Sequence, residues 1–263
     1  MDTPQGAAQS PITGNVLFYN NPEPLSFAAH GTLGVKEIDQ PFGFLRVAHA
    51  VPLTTTEFGI AATSFPIIFV GNEVTPVAVM GVRQGENLFV TDQGHPEAHC
   101  YVPAFVRRYP FVFASDNQND QLLLCVDRQA PMVSETPDVA FFENGEPSEF
   151  TNNAIEFCKE FERQRKGTIL FADLMKKYDL FEQKSISFQP RDANGQPAGA
   201  PQKIADYMAI SEEKLNALSP EAFEDLRSQG ALSVIYSHLV SLLLWPRIIQ
   251  KALDKNAAQQ GNA

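Results

Sequence analysis

Two arginines side by side are the first feature of this chain that could do chemistry. Arg107 and Arg108 lie in YVPAFVRRYPFVF, residues 101–113. Paired guanidiniums present planar donor forks that clamp a carboxylate or a phosphate. The competing reading is neutralisation by the chain's own acids, or a solvated approach to the next strand. A second cluster is DQGHPEAHC, residues 92–100, with Asp92, His95, His99 and Cys100. Histidines at i and i+4 converge on a metal when they ride a helix. Here Gly94 and Pro96 flank His95, so the stretch reads as a loop, and its spacing fits no zinc or iron pattern. No metal and no cofactor are therefore expected, and Asp92, His95 and His99 are minor ligand candidates.

Two further places invite a catalytic reading. Ser237 and His238 are adjacent on an apolar helical stretch, where neighbours point about 100° apart and do not face each other. The chain has no G-x-S-x-G elbow. His238 therefore reads as a core histidine satisfied by a backbone carbonyl. Glu57, in TTTEFG, could act as an acid or base, or interact with a helix N-terminus. No second carboxylate stands at a telling distance from it. Dinucleotide, P-loop and H-E-x-x-H signatures are absent from the sequence, and DANGQPAG lacks the acidic ladder of an EF-hand. The catalytic residues stay unknown, and enzyme activity is uncertain, leaning to none.

The elements that position these groups differ between the two halves. From residue 14 to 135 the pattern is mostly extended: NVLFYN, FGFLRVAHAVPL, SFPIIFVG, QLLLCVDR, and two runs around the hairpin loop RQGEN. TTTEFGIAAT offers a threonine cap and a short helix. From 136 to 253 the spacing turns helical, with Gly167 as a kink or break, and with SISFQP and IADYMAIS as two further strands around a Gly/Pro-rich loop. Ser211 and Ser219 read as N-caps, Pro220 as a first-turn residue and Gly230 as a C-cap. Pro246 bends or ends a segment of the last apolar helix. The expected fold is α+β: a mainly antiparallel sheet in the N-terminal half packed with C-terminal helices. A single domain is expected over 14–253, flanked by mobile tails at 1–13 and 254–263.

An internal echo bears on the arginines. VPLTTTEFGIAATSFPIIFVGN and VPAFVRRYPFVFASDN share a Val-Pro start, a connector, an aromatic-Pro-apolar-apolar-Phe run and a following apolar strand. Pro and its preceding aromatic residue both favour the approach to a strand. Arg-Arg-Tyr in one copy replaces Thr-Ser-Phe in the other. The fold does not demand arginines there, so Arg107, Arg108 and Tyr109 become the expected contact with a partner or ligand.

Composition bounds the partners. The chain has 263 residues, 44% of them hydrophobic, with 20 Phe against one Trp, enough for a sizeable core. Its net charge of −11 disfavours nucleic acid and anionic membrane surfaces, and aids solubility. A protein partner is expected rather than a small molecule. Cys100, Cys125 and Cys158 are odd in number and widely spaced, which suits reduced thiols. The stretch 240–253 is interrupted by Pro246 and Arg247, short of the ~20 residues that span a bilayer. The N-terminus lacks the pattern of a secretory signal. The cytoplasm is the expected location, with export by a signal-peptide-independent route left open.

VPLTTTEFGIAATSFPIIF, VMGVRQGENLFV, YVPAFVRRYPFVF, LCVD, SEEKLNALSPEAF and GALSVIYSHLVSLLLW occur in an order that resembles the SapC family of bacterial proteins. YVPAFVRRYPF is the most specific block. After NLFV the family usually carries a bulky residue such as tryptophan, where this chain has GHPEAHC. The resemblance implies a link to the cell envelope, since the family is named for bacterial surface layers. It also implies genomic neighbours of the tryptophan-halogenase type and TonB-dependent receptors, so an accessory role beside such an enzyme is the alternative to a binding or assembly protein. It supplies no catalytic residue. A peptide-permease membrane subunit of similar name is a different protein.

Overall fold

The computed structural model describes residues 16–116, 121–189, 196 and 199–261. In chain order the elements are β1 (Pro22–Pro24), α1 (Phe27–His30), β2 (Gly34–Val35), β3 (Ala50–Pro52), α2 (Phe58–Ala61), β4 (Ile67–Val70) and β5 (Thr75–Val79). Then come α3 (Ala104–Arg107), β6 (Phe111–Asp116), β7 (Gln121–Asp127), β8 (Val133–Ser134), β9 (Val139–Ala140), β10 (Phe142–Glu143) and β11 (Glu146–Pro147). The last are α4 (Glu149–Lys177), β12 (Phe181–Phe188), β13 (Gln202–Ile210), α5 (Glu212–Asn216), α6 (Pro220–Ser228), α7 (Ala231–Ser241) and α8 (Trp245–Gly261). Among the described residues every strand pairing is antiparallel, strands concentrate in the N-terminal half, and the fold is α+β.

Local signals act where they were read. Ser211 accepts from the amide of Lys214, and Ser219 from that of Ala222, each satisfying a donor that helix geometry leaves open. Pro220 opens α6, and Gly230 takes φ +70° where the chain leaves it. A 3-10 turn, Leu242–Leu244, separates α7 from α8 just before Pro246. The echo is structural as well. Each copy is a short helix (α2 or α3), an aromatic-Pro step, then a hairpin (β4–β5 or β6–β7). In each, the proline carbonyl accepts at 2.9 Å from the far end of the hairpin, Val79 for Pro66 and Asp127 for Pro110.

Other expectations are corrected. Residues 16–20 of NVLFYN form a turn and not a strand, because Tyr19 donates its hydroxyl to the Phe111 carbonyl at 2.5 Å and Phe18 takes φ +80°. FGFLRV is a 3-10 segment, and NLFV makes only an isolated bridge, Val90 to Pro96. Gly167 does not break α4, which runs unbroken to Lys177. Residues 254–261, placed in the C-terminal tail, have helical backbone as part of α8. The tail 1–13 and most of the loop after SISFQP lie outside the described residues.

Packing does not divide the chain at residue 135. Two compact units interleave: Met1–Pro41 with Arg107–Glu162, and Phe42–Val106 with Arg163–Ala263. The first holds the sheets β1-β7-β6, β8-β2-β9 and β10-β11 around Leu33, Phe111, Val126, Phe141 and Cys158. Phenylalanine supplies the contacts: the Phe111 and Phe141 rings meet edge-on at 5.4 Å, and Phe150 stacks on Phe141. Gly34 sits in the middle strand, where a Cβ would collide with the Val139 carbonyl oxygen.

The second unit holds the five-stranded sheet β12-β13-β4-β5-β3. Phe69 of β4 meets Phe58, Phe181 and the His238 ring at 6.2, 5.0 and 5.1 Å. α7 is tied to this sheet by polar atoms. His238 Nε2 accepts from the Ile210 amide at 3.0 Å, and Ser241 Oγ accepts from the Ile67 amide at 2.9 Å. Each side chain thus completes a strand amide that would otherwise be buried without an acceptor.

Candidate functional site

α3 ends between the two arginines, and they diverge. Arg107 is exposed, its guanidinium 5.2 Å from the ring centre of Phe157 on α4. Arg108 is buried. Its guanidinium lies 4.4 Å from the Phe161 ring and 5.9 Å from that of Tyr19, with Nη1 3.8 Å from Glu162 Oε1. A buried pair of this kind adds little net stability, but loss of one member strands the other charge. The Arg108 pocket also holds Cys158, whose thiol is pushed up to about 11 by burial. Burial raises the Tyr19 phenol far above its usual range, against the opposing charge of Arg108.

Tyr109, the third expected contact residue, is buried. Its hydroxyl donates to Asp127 Oδ2 at 3.3 Å. Burial, and then the Asp127 carboxylate, raise its phenol well above the ordinary value. Asp127 is the residue that sequence reasoning missed. It also accepts from the amides of Asn20 and Asn21 at 2.9 Å and of Gln129 at 3.1 Å. The available signal was a carboxylate closing the apolar run LLLCV, where burial obliges it to find donors.

Glu57 occupies a comparable position in the other unit. Oε1 accepts from the Tyr101 hydroxyl at 2.9 Å and the Ala104 amide at 2.7 Å. Oε2 accepts from the Thr54 amide and hydroxyl, both at 2.8 Å. The carboxylate closes a capping box at the 3-10 turn Thr55–Glu57 and holds the start of α3. Four donors fill its lone pairs, a structural assignment for the group considered as an acid or base.

The loop 92–100 is organised differently from a metal site. The Asp92 carbonyl accepts from Arg46, the His95 amide donates to Thr91 Oγ1 at 3.3 Å, and His99 takes φ +64°. Among the described residues no three His, Cys, Asp or Glu side chains gather to hold an ion. Glu97 instead binds Lys251, and although burial works against it, that lysine holds its carboxyl below the usual range. Cys100, Cys125 and Cys158 are all free cysteines.

Ser237 donates to the Ser233 carbonyl at 2.8 Å and does not pair with His238. His238 Nε2 is held by the Ile210 amide donor. Because Nε2 accepts, the neutral ring carries its proton on Nδ1. Burial pushes the imidazole down to about 4. The unfolded chain takes up this proton near pH 6.5. Stability from the neutral ring is therefore complete above that pH and declines as pH falls towards 4, by about 3 kcal/mol. His238→Gln keeps an acceptor and does not titrate. Urea midpoints at pH 7 and 4.5 should converge for the variant and fall for the wild type; parallel losses would contradict the assignment.

The same unit has a concavity of about 290 Å³, lined by Leu170, Phe171, Leu174, Ala231 and Val234 with Thr55 and Gln229. It carries no titratable side chain. In comparison with known proteins, the family model SapC matches residues 25–248. No curated protein and no solved structure matches the chain.

Proposed function

The chain belongs to the SapC family, and from that premise we propose that it is a non-enzymatic binding or assembly protein serving the bacterial cell envelope, with Arg107 as its contact residue. The carrying observation is the division of labour within the doublet. Arg108 is buried beside Glu162 and two rings, while Arg107 lies at the surface over Phe157, where a partner can reach it. A cation held over an aromatic ring loses little freedom on docking, and arginine is the charged residue enriched at protein interfaces. An acidic group on a protein partner is the expected complement.

Arg107→Ala removes an exposed side chain, so the melting temperature should stay within about 2 °C of wild type. Recovery of cross-linked partner from the native host should drop roughly tenfold, as for loss of a charged interface contact. Unchanged recovery would remove the role given to Arg107. If the recovered partner is a halogenase-like enzyme, the accessory-subunit reading replaces envelope assembly.

A further inference from the structure

The segment from Ser228 to Pro246 contains no Asp, Glu, Lys or Arg, in a chain of net charge −11. It forms α7 and the turn after it. Tyr236, Val240 and Leu243 are 46%, 56% and 76% exposed. Their spacing of four and then three residues places them on one side of a helix. Leu232, Leu239 and Leu244 beside them are half-buried. The helical run Ala231–Ala258 is long and apolar enough to cross a membrane by length and composition, and only 28% of its apolar window is buried. The sequence reading stopped this run at Pro246, but proline is accommodated at the first turn of α8.

We propose that this stripe is a self-association surface, on which α7 of a second copy packs antiparallel. Charge decides between occupants. Nucleic acid or anionic lipid would meet no charge on Tyr236, Val240 or Leu243, the exposed Arg247 only one turn beyond them, and a chain of net charge −11 around them. Two acidic copies repel wherever their charged surfaces meet, and least where neither carries charge. A twofold contact also requires a surface complementary to itself, and an uncharged apolar seam with four-three spacing meets that requirement. With Val240 near the axis, Tyr236 of one copy faces the Leu243–Leu244 end of the other. His238 and Ser241 keep the opposite side of α7 fixed to the sheet, so the seam is presented on a rigid support. Two helical turns make an interface below the ~1,200 Å² of standard contacts, so self-association is expected to be weak and its test belongs in the micromolar range.

Sedimentation velocity of the full chain from about 2 to 200 µM brackets that range. The wild type should pass from monomer to dimer. Leu243→Glu sets two carboxylates against the seam and should weaken dimerisation at least tenfold, with an unchanged circular dichroism spectrum. Leu170→Glu, on exposed α4, should leave the dimer intact. A monomer throughout, or equal weakening by both variants, overturns the proposal. So does co-flotation of wild type, but not of Leu243→Glu, with phosphatidylglycerol–phosphatidylethanolamine vesicles.

Discussion

Asp127→Ala is expected to destabilise the protein by about 4 kcal/mol, as expected for loss of a buried charged acceptor. Asp127 is 0% exposed and accepts from three backbone amides and one phenol. Alanine leaves the amides of Asn20, Asn21 and Gln129, part-buried in these bonds, without their acceptor. The amides of Asn20 and Asn21 fix the turn before β1, and β1 pairs directly with β7, which ends at Asp127. One carboxylate thus clasps two segments of the first unit that lie a hundred residues apart in sequence. Asp127→Asn should recover only part of the loss, because its NH₂ must confront an amide donor. Urea denaturation at pH 7 measures both. A loss under 1 kcal/mol for alanine would show that water replaces the carboxylate at no great cost.

Glu57→Gln should cost about 3 kcal/mol and Glu57→Ala somewhat more. The near-isosteric change is the informative one. Each carboxylate oxygen receives one backbone amide, from Ala104 or Thr54. Whichever way glutamine turns, its NH₂ meets one of those N–H groups. The hydroxyls of Tyr101 and Thr54 can reorient; the amides cannot. A catalytic carboxylate would show the opposite behaviour, since removing a buried charge at an active site often leaves stability intact or improved. A Gln variant with wild-type stability would therefore reopen the acid–base reading of Glu57.

Features set by neighbours in sequence were legible in advance. Ser211, Ser219, Pro220 and Gly230 mark helix ends through contacts within four residues, so composition alone exposes them. The helix–proline–hairpin echo was legible for the same reason, since Pro66 and Pro110 constrain their own surroundings. NVLFYN misled because its apolar alternation is answered by Phe111 and Asp127, far along the chain. NLFV misled because apolar side chains can fill a core from a loop: Phe89 packs edge-on against Phe65 at 4.7 Å without a strand to carry it. The doublet was legible as chemistry but not as two opposed fates. Those depend on α3 ending at Arg107 and on which face of α4 each guanidinium meets.

The interleaving of the two units has a consequence for how the protein is born. Met1–Pro41 is synthesised before Phe42–Val106, yet the strands that complete its unit follow only after Arg107. The intervening segment Phe42–Val106 must in turn await β12 and β13, which arrive beyond residue 180. The first body has all its strands once Glu162 is made, whereas the second must wait for β12 and β13, so the body begun second is also completed second, around a segment held open in between. Until β13 arrives, the β4 edge of the β4–β5 hairpin stays open to other chains, in a protein whose net charge of −11 opposes their approach.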